Sequence, residues 1–408
     1  MKKEMLVGRR EKLLKEQKNN EMTIIFGGEG PVGIESFYQE NNFLYFTGLC
    51  IPGAIYVLKN KGDKPIEILF IERGIPEREV WDGKKMTVKE AATLSGIKNV
   101  KYLDEFDSNI INFLLEAEKC FVNYEFKALN SPIDRKLEFI KKARDRFPKL
   151  LFDNAVEVIR PLRAVKNSWE VKQLKKAIDI TKDGILSIFQ NTKAGMYEYE
   201  AEALLRYEMY RTGLKRFGFQ PIVASGMNAT TLHYIDNNCK IKKGELVLLD
   251  VGVAYNNYSA DISRTFPVSG KFNKRQKAVY TAVLDVQKEI IEMIKPGVSL
   301  MELNKKTTEL ITKALKKLKL IKKDEEFRKY YMHSVSHHLG MDTHDIVPRD
   351  SILKEGNVIT VEPGIYIPEE KIGVRIEDDI LVTKTGYKNL SENIPKEIEE
   401  LESIVGDK

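Results

Sequence analysis

Thiol and imidazole are both scarce in this chain. Of its 408 residues only three are cysteine, Cys50, Cys120 and Cys239, and no two sit at a spacing that suggests pairing. That excludes a disulfide framework and suits a reducing compartment. Long apolar runs are missing as well. No stretch approaches the roughly 18 residues a membrane span needs, and the N-terminal "MKKEMLVGRREKLLKEQ" lacks the apolar segment of a signal peptide. Nor does charge of one sign dominate: 66 basic and 60 acidic residues leave a net +6. Lys-rich stretches such as "KALKKLKLIKKDEE" read as solvated helix faces, not as a nucleic-acid groove. These absences describe a cytoplasmic, soluble protein with neither nucleic acid nor membrane as a partner. With 42% hydrophobic and 31% charged residues, the length suffices for two or three ordinary globular domains.

What is present is organised in two parts. Over residues 1–160, "MTIIFGG", "GAIYVLKN" and "IEILFIE" read as buried strands, and "VKEAATL" and "SNIINFLLEAEK" as amphipathic helices between strands. The alternation predicts an α/β domain. "IRPLRAVKNS" forms a basic, Pro-containing junction, after which Ser168 is the expected N-cap of a long helix with Glu170 in its first turn. The remainder, 161–408, echoes itself. "KAGMYEYE" matches "KPGVSLME", where Ser299 and Glu302 suit a capping box, and "GELVLLDVG" matches "GNVITVEPG". The second match aligns Asp250 with Glu362. Two such matches in the same order predict an α+β domain built from duplicated helix–strand halves, with one acid at the same place in each.

Acids in apolar strands require an explanation, because burying unpaired carboxylates side by side is costly. "ELVLLDVGVAYNNYSADISRTF" reads as a hairpin turning at Tyr255-Asn256-Asn257-Tyr258. Asp250 and Asp261 flank that turn, and opposite positions of a hairpin lie ~5 Å apart on one face. Glu362 and Glu377 bracket a second turn near Pro368-Glu369-Glu370. One or two divalent cations would convert the repulsion among four such acids into coordination.

Four of the five histidines crowd into "HSVSHHLGMDTH", His333 to His344; the fifth is His233. His333 and His337 are expected on the same side of an extended segment or loop, since Gly340 and the serines disfavour a helix. Four carboxylates and one imidazole form an oxygen-rich ligand set suited to Mn²⁺, Fe²⁺, Co²⁺ or Zn²⁺, and the absence of thiolates argues against a structural zinc. Two bridging acids would hold a metal pair ~3.5–4 Å apart, able to activate a water and polarise an acyl or phosphoryl oxygen. Without a Gly-rich phosphate loop, peptide chemistry is favoured.

The stretches "LLDVGVAYNNYSADISRTFPVSGKF", "HSVSHHLGMDTHD", "VEPGIYI" and "GVRIEDDI", with "GRREKLL" and "FLYFTG" near the N-terminus, closely resemble the Xaa-Pro aminopeptidase (aminopeptidase P) family of pita-bread metallopeptidases. Prolidase and methionine aminopeptidase are relatives. The resemblance implies an N-terminal α/β domain and a pita-bread catalytic domain. It implies that Asp250, Asp261, His337, Glu362 and Glu377 hold two ions, usually Mn²⁺, with Asp261 and Glu377 bridging. Asp250 would chelate one ion, and His337 and Glu362 the other. Glu362 would take the proton of the bridging water, His233 and His344 would contact the scissile carbonyl, and His333 and Arg375 would line the pocket for proline. His338 matches no assigned role and reads as structural. In "GIESFYQENNFLYFTG", Glu35-Ser36 stands where many relatives carry aspartate, which puts an N-domain contact to the peptide terminus in doubt.

The expected activity is metal-dependent removal of an N-terminal residue that precedes proline, on peptide substrates, by a homo-oligomer (dimer or tetramer). Proline's tertiary amide and its restriction of the preceding residue make a dedicated pocket necessary. Prolidase, which cleaves Xaa-Pro dipeptides, is the alternative; the Ser-Val-Ser between His333 and His337 resembles the aminopeptidase pattern more. A non-catalytic peptide-binding relative is the reading from another class, and the presence of all five ligand residues disfavours it.

Overall fold

The computed structural model describes residues 2–30, 37–125, 127–346 and 352–406; Glu35-Ser36 lies outside them. The chain folds as two compact units, Met1–Leu162 and Arg163–Lys408.

The first unit is built on a six-stranded mixed sheet of β1 (Glu21–Phe26), β2 (Ile55–Lys59), β3 (Ile66–Ile71), β4 (Val100–Tyr102), β5 (Lys119–Val122) and β6 (Leu151–Asn154), in the order β4-β3-β2-β1-β5-β6. β2 pairs antiparallel with both β1 and β3, while β4 joins β3, β5 joins β1 and β6 joins β5 in parallel. Nearly all residues of β1, β2 and β3 are buried, as expected of strands covered on both faces. Ile24, Val57, Phe70 and Val122 anchor the core between sheet and helices. The helices Val88–Ser95 and Phe106–Leu115 fall where amphipathic patterning places them.

The second unit repeats one motif. In its first half the helix Ser168–Asn191 packs on the helix Glu198–Tyr210, followed by β7 (Ile222–Ser225) and a long bent hairpin. The hairpin comprises β8 (Leu246–Val251), β9 (Ala254–Tyr255), β10 (Tyr258–Ser259) and β11 (Ile262–Pro267), in a single register that runs through the break at Gly252. Asn256 and Asn257 both have positive φ, 51° and 64°, which makes the connection the two-residue turn that matches strand twist. In the second half the helices Lys274–Glu292 and Leu300–Lys317 precede a second bent hairpin. Its strands are β12 (Val358–Val361), β13 (Gly364–Ile367), β14 (Ile372–Arg375) and β15 (Asp378–Val382), with β16 (Tyr387–Asn389) at the edge. The place that β7 takes beside β8 is filled beside β12 by residues 335–339. There the amides of Leu339, Thr360 and Glu362 donate to the carbonyls of Val358, His337 and Val335.

Two expectations need correction. Asn167, not Ser168, caps the long helix: its Oδ1 accepts from the amides of Trp169 and Glu170, and Glu170 returns the bond to the Asn167 amide. The two candidates are adjacent, and only asparagine reaches both amides from an extended backbone. The helix Val156–Ala164 runs through the basic junction, with Pro161 inside it. Asp250 and Asp261 are not directly opposite. Ser263 faces Asp250 across the ladder, so Asp261 is its diagonal neighbour, two residues along on the same side. By contrast, Glu362 and Glu377 flank the break between paired β12–β15 and β13–β14, whose shared register sets them opposite each other.

Candidate metal centre

β8 is apolar on both faces, and Leu248 packs into a cluster with Ile222, Ala224 and Tyr366. Asp250, two residues further on the same face, therefore projects where that cluster ends and a cavity begins. The cavity has a volume of about 660 Å³ and is lined by all nine residues singled out by the sequence: Asp250, Asp261, His337, Glu362, Glu377, His233, His344, His333 and Arg375. Its size is that of a small-molecule or short-peptide site.

The ligand-bearing atoms of Asp261, His337 and Glu377 all lie within 4.8 Å of one another. His337 Nε2 stands 3.3 Å from Asp261 Oδ2 and 3.5 Å from Glu362 Oε1. The ring's other nitrogen, Nδ1, is 3.1 Å from the His338 carbonyl oxygen. A carbonyl only accepts, so Nδ1 carries the hydrogen of the neutral ring and Nε2 turns a lone pair toward two carboxylates. Lone pairs facing one another are repulsive unless a cation lies between them. Asp250 Oδ1 is buried and has no partner among the described residues, while its Oδ2 accepts from Arg375 Nη2 at 2.6 Å.

The electrostatics agree. Burial, and then the charges of Glu377 and Asp250, push the Asp261 carboxyl well above the ordinary range. Burial and Glu362 do the same to Glu377. Glu362 is pushed up to about 8, first by burial and then by Asp261 and Asp250 against the opposing pull of His337 and Arg375. Protons therefore compete for these oxygens where no cation is bound. The donor set thus fits a divalent metal.

Arg375 and residues the sequence did not single out, Ser263, Tyr366 and Asp379, hold the acids in place. Arg375 Nε donates to Ser263 Oγ, and Ser263 Oγ donates to Glu377 Oε2, each at 2.8 Å. Arg375 Nη1 donates to Tyr366 Oη at 3.0 Å, and Tyr366 Oη lies 2.9 Å from His333 Nε2. His333 Nδ1 faces the Ser334 carbonyl at 2.8 Å, so it carries the hydrogen and Nε2 accepts from the tyrosine. Burial and the Arg375 charge lower the His333 pKa to about 4, so this ring is a neutral wall of the cavity at ordinary pH. Asp379, fully buried, accepts from the Asp261 amide at 3.2 Å.

His233 and His344 stand on the more open side. His344 packs against His337 with ring centroids 4.2 Å apart. His233 follows the 3₁₀ turn Gly226–Thr230, and the buried Glu198 secures its loop. Glu198 accepts from the amides of Ser225 and Cys239 and from the Tyr234 hydroxyl, at 2.7, 2.9 and 2.7 Å. The segment around His333 and His337 is irregular, not a strand, yet both rings reach the cavity. His338 points away from it and is fully buried. Neither Glu198 nor Asp379 carried a sequence signal, because their roles depend on loops brought in from elsewhere.

Comparison with known proteins gives the family. Residues 172–384 match metallopeptidase family M24, and residues 7–122 match the aminopeptidase P N-terminal domain. Xaa-Pro aminopeptidase 3 of Mus musculus is 36% identical over 391 residues, covering 90% of this chain and 77% of that protein. The structure of a provisionally assigned aminopeptidase P from Bacillus anthracis superposes with a TM-score of 0.95 at 42% identity, over 99% of this chain and 98% of the other. Zinc-substituted E. coli aminopeptidase P in complex with product gives a TM-score of 0.90 at 29% identity, covering 99% and 98%.

Proposed function

The chain belongs to metallopeptidase family M24 and carries an aminopeptidase P N-terminal domain, and from that premise we propose that it removes the N-terminal residue of peptides whose second residue is proline. The observation that carries this reading is the convergence of four acids and the bare Nε2 of His337 on one cavity. Asp250, Asp261, His337, Glu362 and Glu377 would together hold two divalent ions; Mn²⁺ is our proposed native pair, with Co²⁺, Zn²⁺ or Fe²⁺ as substitutes. Bound there, the ions would lower the pKa of a water and polarise the scissile carbonyl.

The protein's own residues supply the rest. Glu362, which lines the cavity and would be kept ionised by the neighbouring cations, accepts the proton of the attacking water, a task for which a carboxylate within reach of that water is suited. His233 and His344 donate ring N–H groups to the carbonyl as charge develops on its oxygen. The neutral His333 ring, held by Tyr366, presents an apolar face beside Leu232 and Ile222. Such a wall accepts proline, whose nitrogen offers no hydrogen to satisfy. Asp250 is aimed by its Arg375 partner, and the same guanidinium fixes Tyr366, so the metal side and the substrate side share one cation.

No helix among the described residues is long and apolar enough to cross a membrane, and all three cysteines are free. Both facts support a cytoplasmic enzyme, and we extend the reading to a homo-oligomer on the resemblance alone. The test is a peptide panel on Mn²⁺-loaded protein. Xaa-Pro-Yaa tripeptides should lose their first residue, Xaa-Ala-Yaa should not, and chelation should stop turnover. Cleavage of Xaa-Pro dipeptides without tripeptide turnover would replace the proposal with prolidase activity, and activity that survives metal stripping would end it.

A further inference from the structure

At the junction Arg163, Ala164 and Lys166 are buried, and the segment grips the loop that carries His344. Arg163 Nη2 donates to Asp345 Oδ1 and to Asp342 Oδ2, each at 2.6 Å. Lys166 Nζ lies 3.0 Å from Asp345 Oδ2. The side chains of Arg163, Lys166 and Asp345 are 2%, 1% and 1% exposed, so two cations from one short segment saturate both oxygens of one carboxylate in the interior. Gly340 closes the loop over this cluster, and any side chain there would overlap the Asp345 carboxylate and the Lys166 stem.

The path from Asp345 to the metal centre is short. Its amide donates to the His338 carbonyl at 2.8 Å, the same oxygen that accepts Nδ1–H of His337. His344, the residue before Asp345, packs on the His337 ring. The junction is tied to the other limb of the site too. The Lys166 amide donates to the Gly356 carbonyl at 2.8 Å and Asn357 Nδ2 to the Ala164 carbonyl at 2.9 Å, just before β12, which ends beside Glu362.

Resting on the proposed metal-site reading, we propose that Arg163, Lys166 and Asp345 are positioning residues for the centre. They hold the 338–345 loop so that the His338 carbonyl keeps the His337 Nε2 lone pair on the ion and His344 beside the substrate. A merely stabilising ion cluster is the rival. Buried ion pairs are often replaceable by apolar groups without loss of stability, whereas a partner that orients a ligand shows itself in metal affinity.

The test titrates Mn²⁺ calorimetrically into metal-free wild type and into Asp345→Asn, Lys166→Met, Arg163→Met and Arg163→Lys, with kcat and KM on an Xaa-Pro-Yaa tripeptide. Partners that orient a metal-binding imidazole typically account for about 10–100-fold in affinity. Asp345→Asn and Arg163→Met should therefore weaken Mn²⁺ by that factor and lower kcat, with KM changed by less than about threefold, and Arg163→Lys should recover most of the loss. Lys166→Met, nearly isosteric, covers the case in which Asp345→Asn fails to fold. Folded variants that bind Mn²⁺ as wild type does, with unchanged kcat and only a lower melting temperature, would overturn the proposal. A wild type that binds no Mn²⁺ would instead overturn the reading of the metal site itself.

Discussion

Replacing Asp261 with asparagine should make the metal-free protein more stable while destroying the site. The Asp261 side chain is only 7% exposed, and its ligand oxygen lies within 4.8 Å of that of Glu377. Two unit charges at that separation, with an effective dielectric near 20, repel by about 3.5 kcal/mol. Partial protonation of the raised carboxyls relieves some of this, so an isosteric amide should return about 1–3 kcal/mol to the metal-free fold. For a unit of this size about 2–4 °C of melting temperature accompanies each kcal/mol, which gives a rise of about 2–12 °C. The assay is calorimetric melting at pH 8 after chelation, repeated with Mn²⁺ in excess. Wild type should gain strongly from the metal, the variant should gain little, and the variant should hydrolyse no Xaa-Pro-Yaa peptide. If the metal-free variant melts lower than wild type, or gains as much from Mn²⁺, the repulsion is not where this account puts it and Asp261 is not a ligand.

A pH dependence follows from the same charges. In the folded, metal-free protein the Glu362 carboxyl titrates near 8 and those of Asp261 and Glu377 are raised as well, whereas in the unfolded chain all three are ionised by pH 7. The folded state then holds more protons, so metal-free stability must fall as pH rises from about 7 to about 8. His333 and His338, whose pKa values are lowered to about 4 and about 3, are neutral in the fold, but in the unfolded chain each is still about a quarter protonated at pH 7, so they offset part of the trend near pH 7 and little of it by pH 8. Saturating Mn²⁺ should flatten the slope, and Mn²⁺ titration at pH 7 should release protons; a slope of the opposite sign would refute the coupling. Gly252→Ala tests the hairpin. A Cβ there would overlap the Ala260 carbonyl and crowd the Phe219 ring, so the variant should lose about 1–3 kcal/mol by overpacking, read as a lower denaturation midpoint. An unchanged midpoint would show that the bend between β8 and β9 tolerates a side chain.

Local rules carried far along this chain. Strands β1 to β3, the Ser299–Glu302 capping box and the Asn256-Asn257 turn follow from periodicity and turn chemistry, which act over a few residues. The four acids and His337 stood out because each breaks an apolar or sparse pattern, and a break in a local pattern is visible without coordinates. The internal echo likewise foretold the paired hairpins, since a duplicated unit repeats its local rules. Choosing between Asn167 and Ser168 as cap was beyond them, because both residues satisfy the same preference.

Tertiary structure alone decided which distant groups complete the site. Register set Ser263, not Asp261, across from Asp250, because alignment in a bent ladder is determined by the whole hairpin and a diagonal neighbour can share a face. The tautomer of His337 depends on a carbonyl that the loop folds beneath it, and the aim of Asp250 depends on an arginine brought from β14. Arg163 and Lys166 belong to what the sequence shows only as a basic junction, yet they lie buried against a carboxylate far along the chain. Composition and spacing state which chemical groups are available. Burial and partnership, which determine how those groups behave, arise only when separate segments exclude water together.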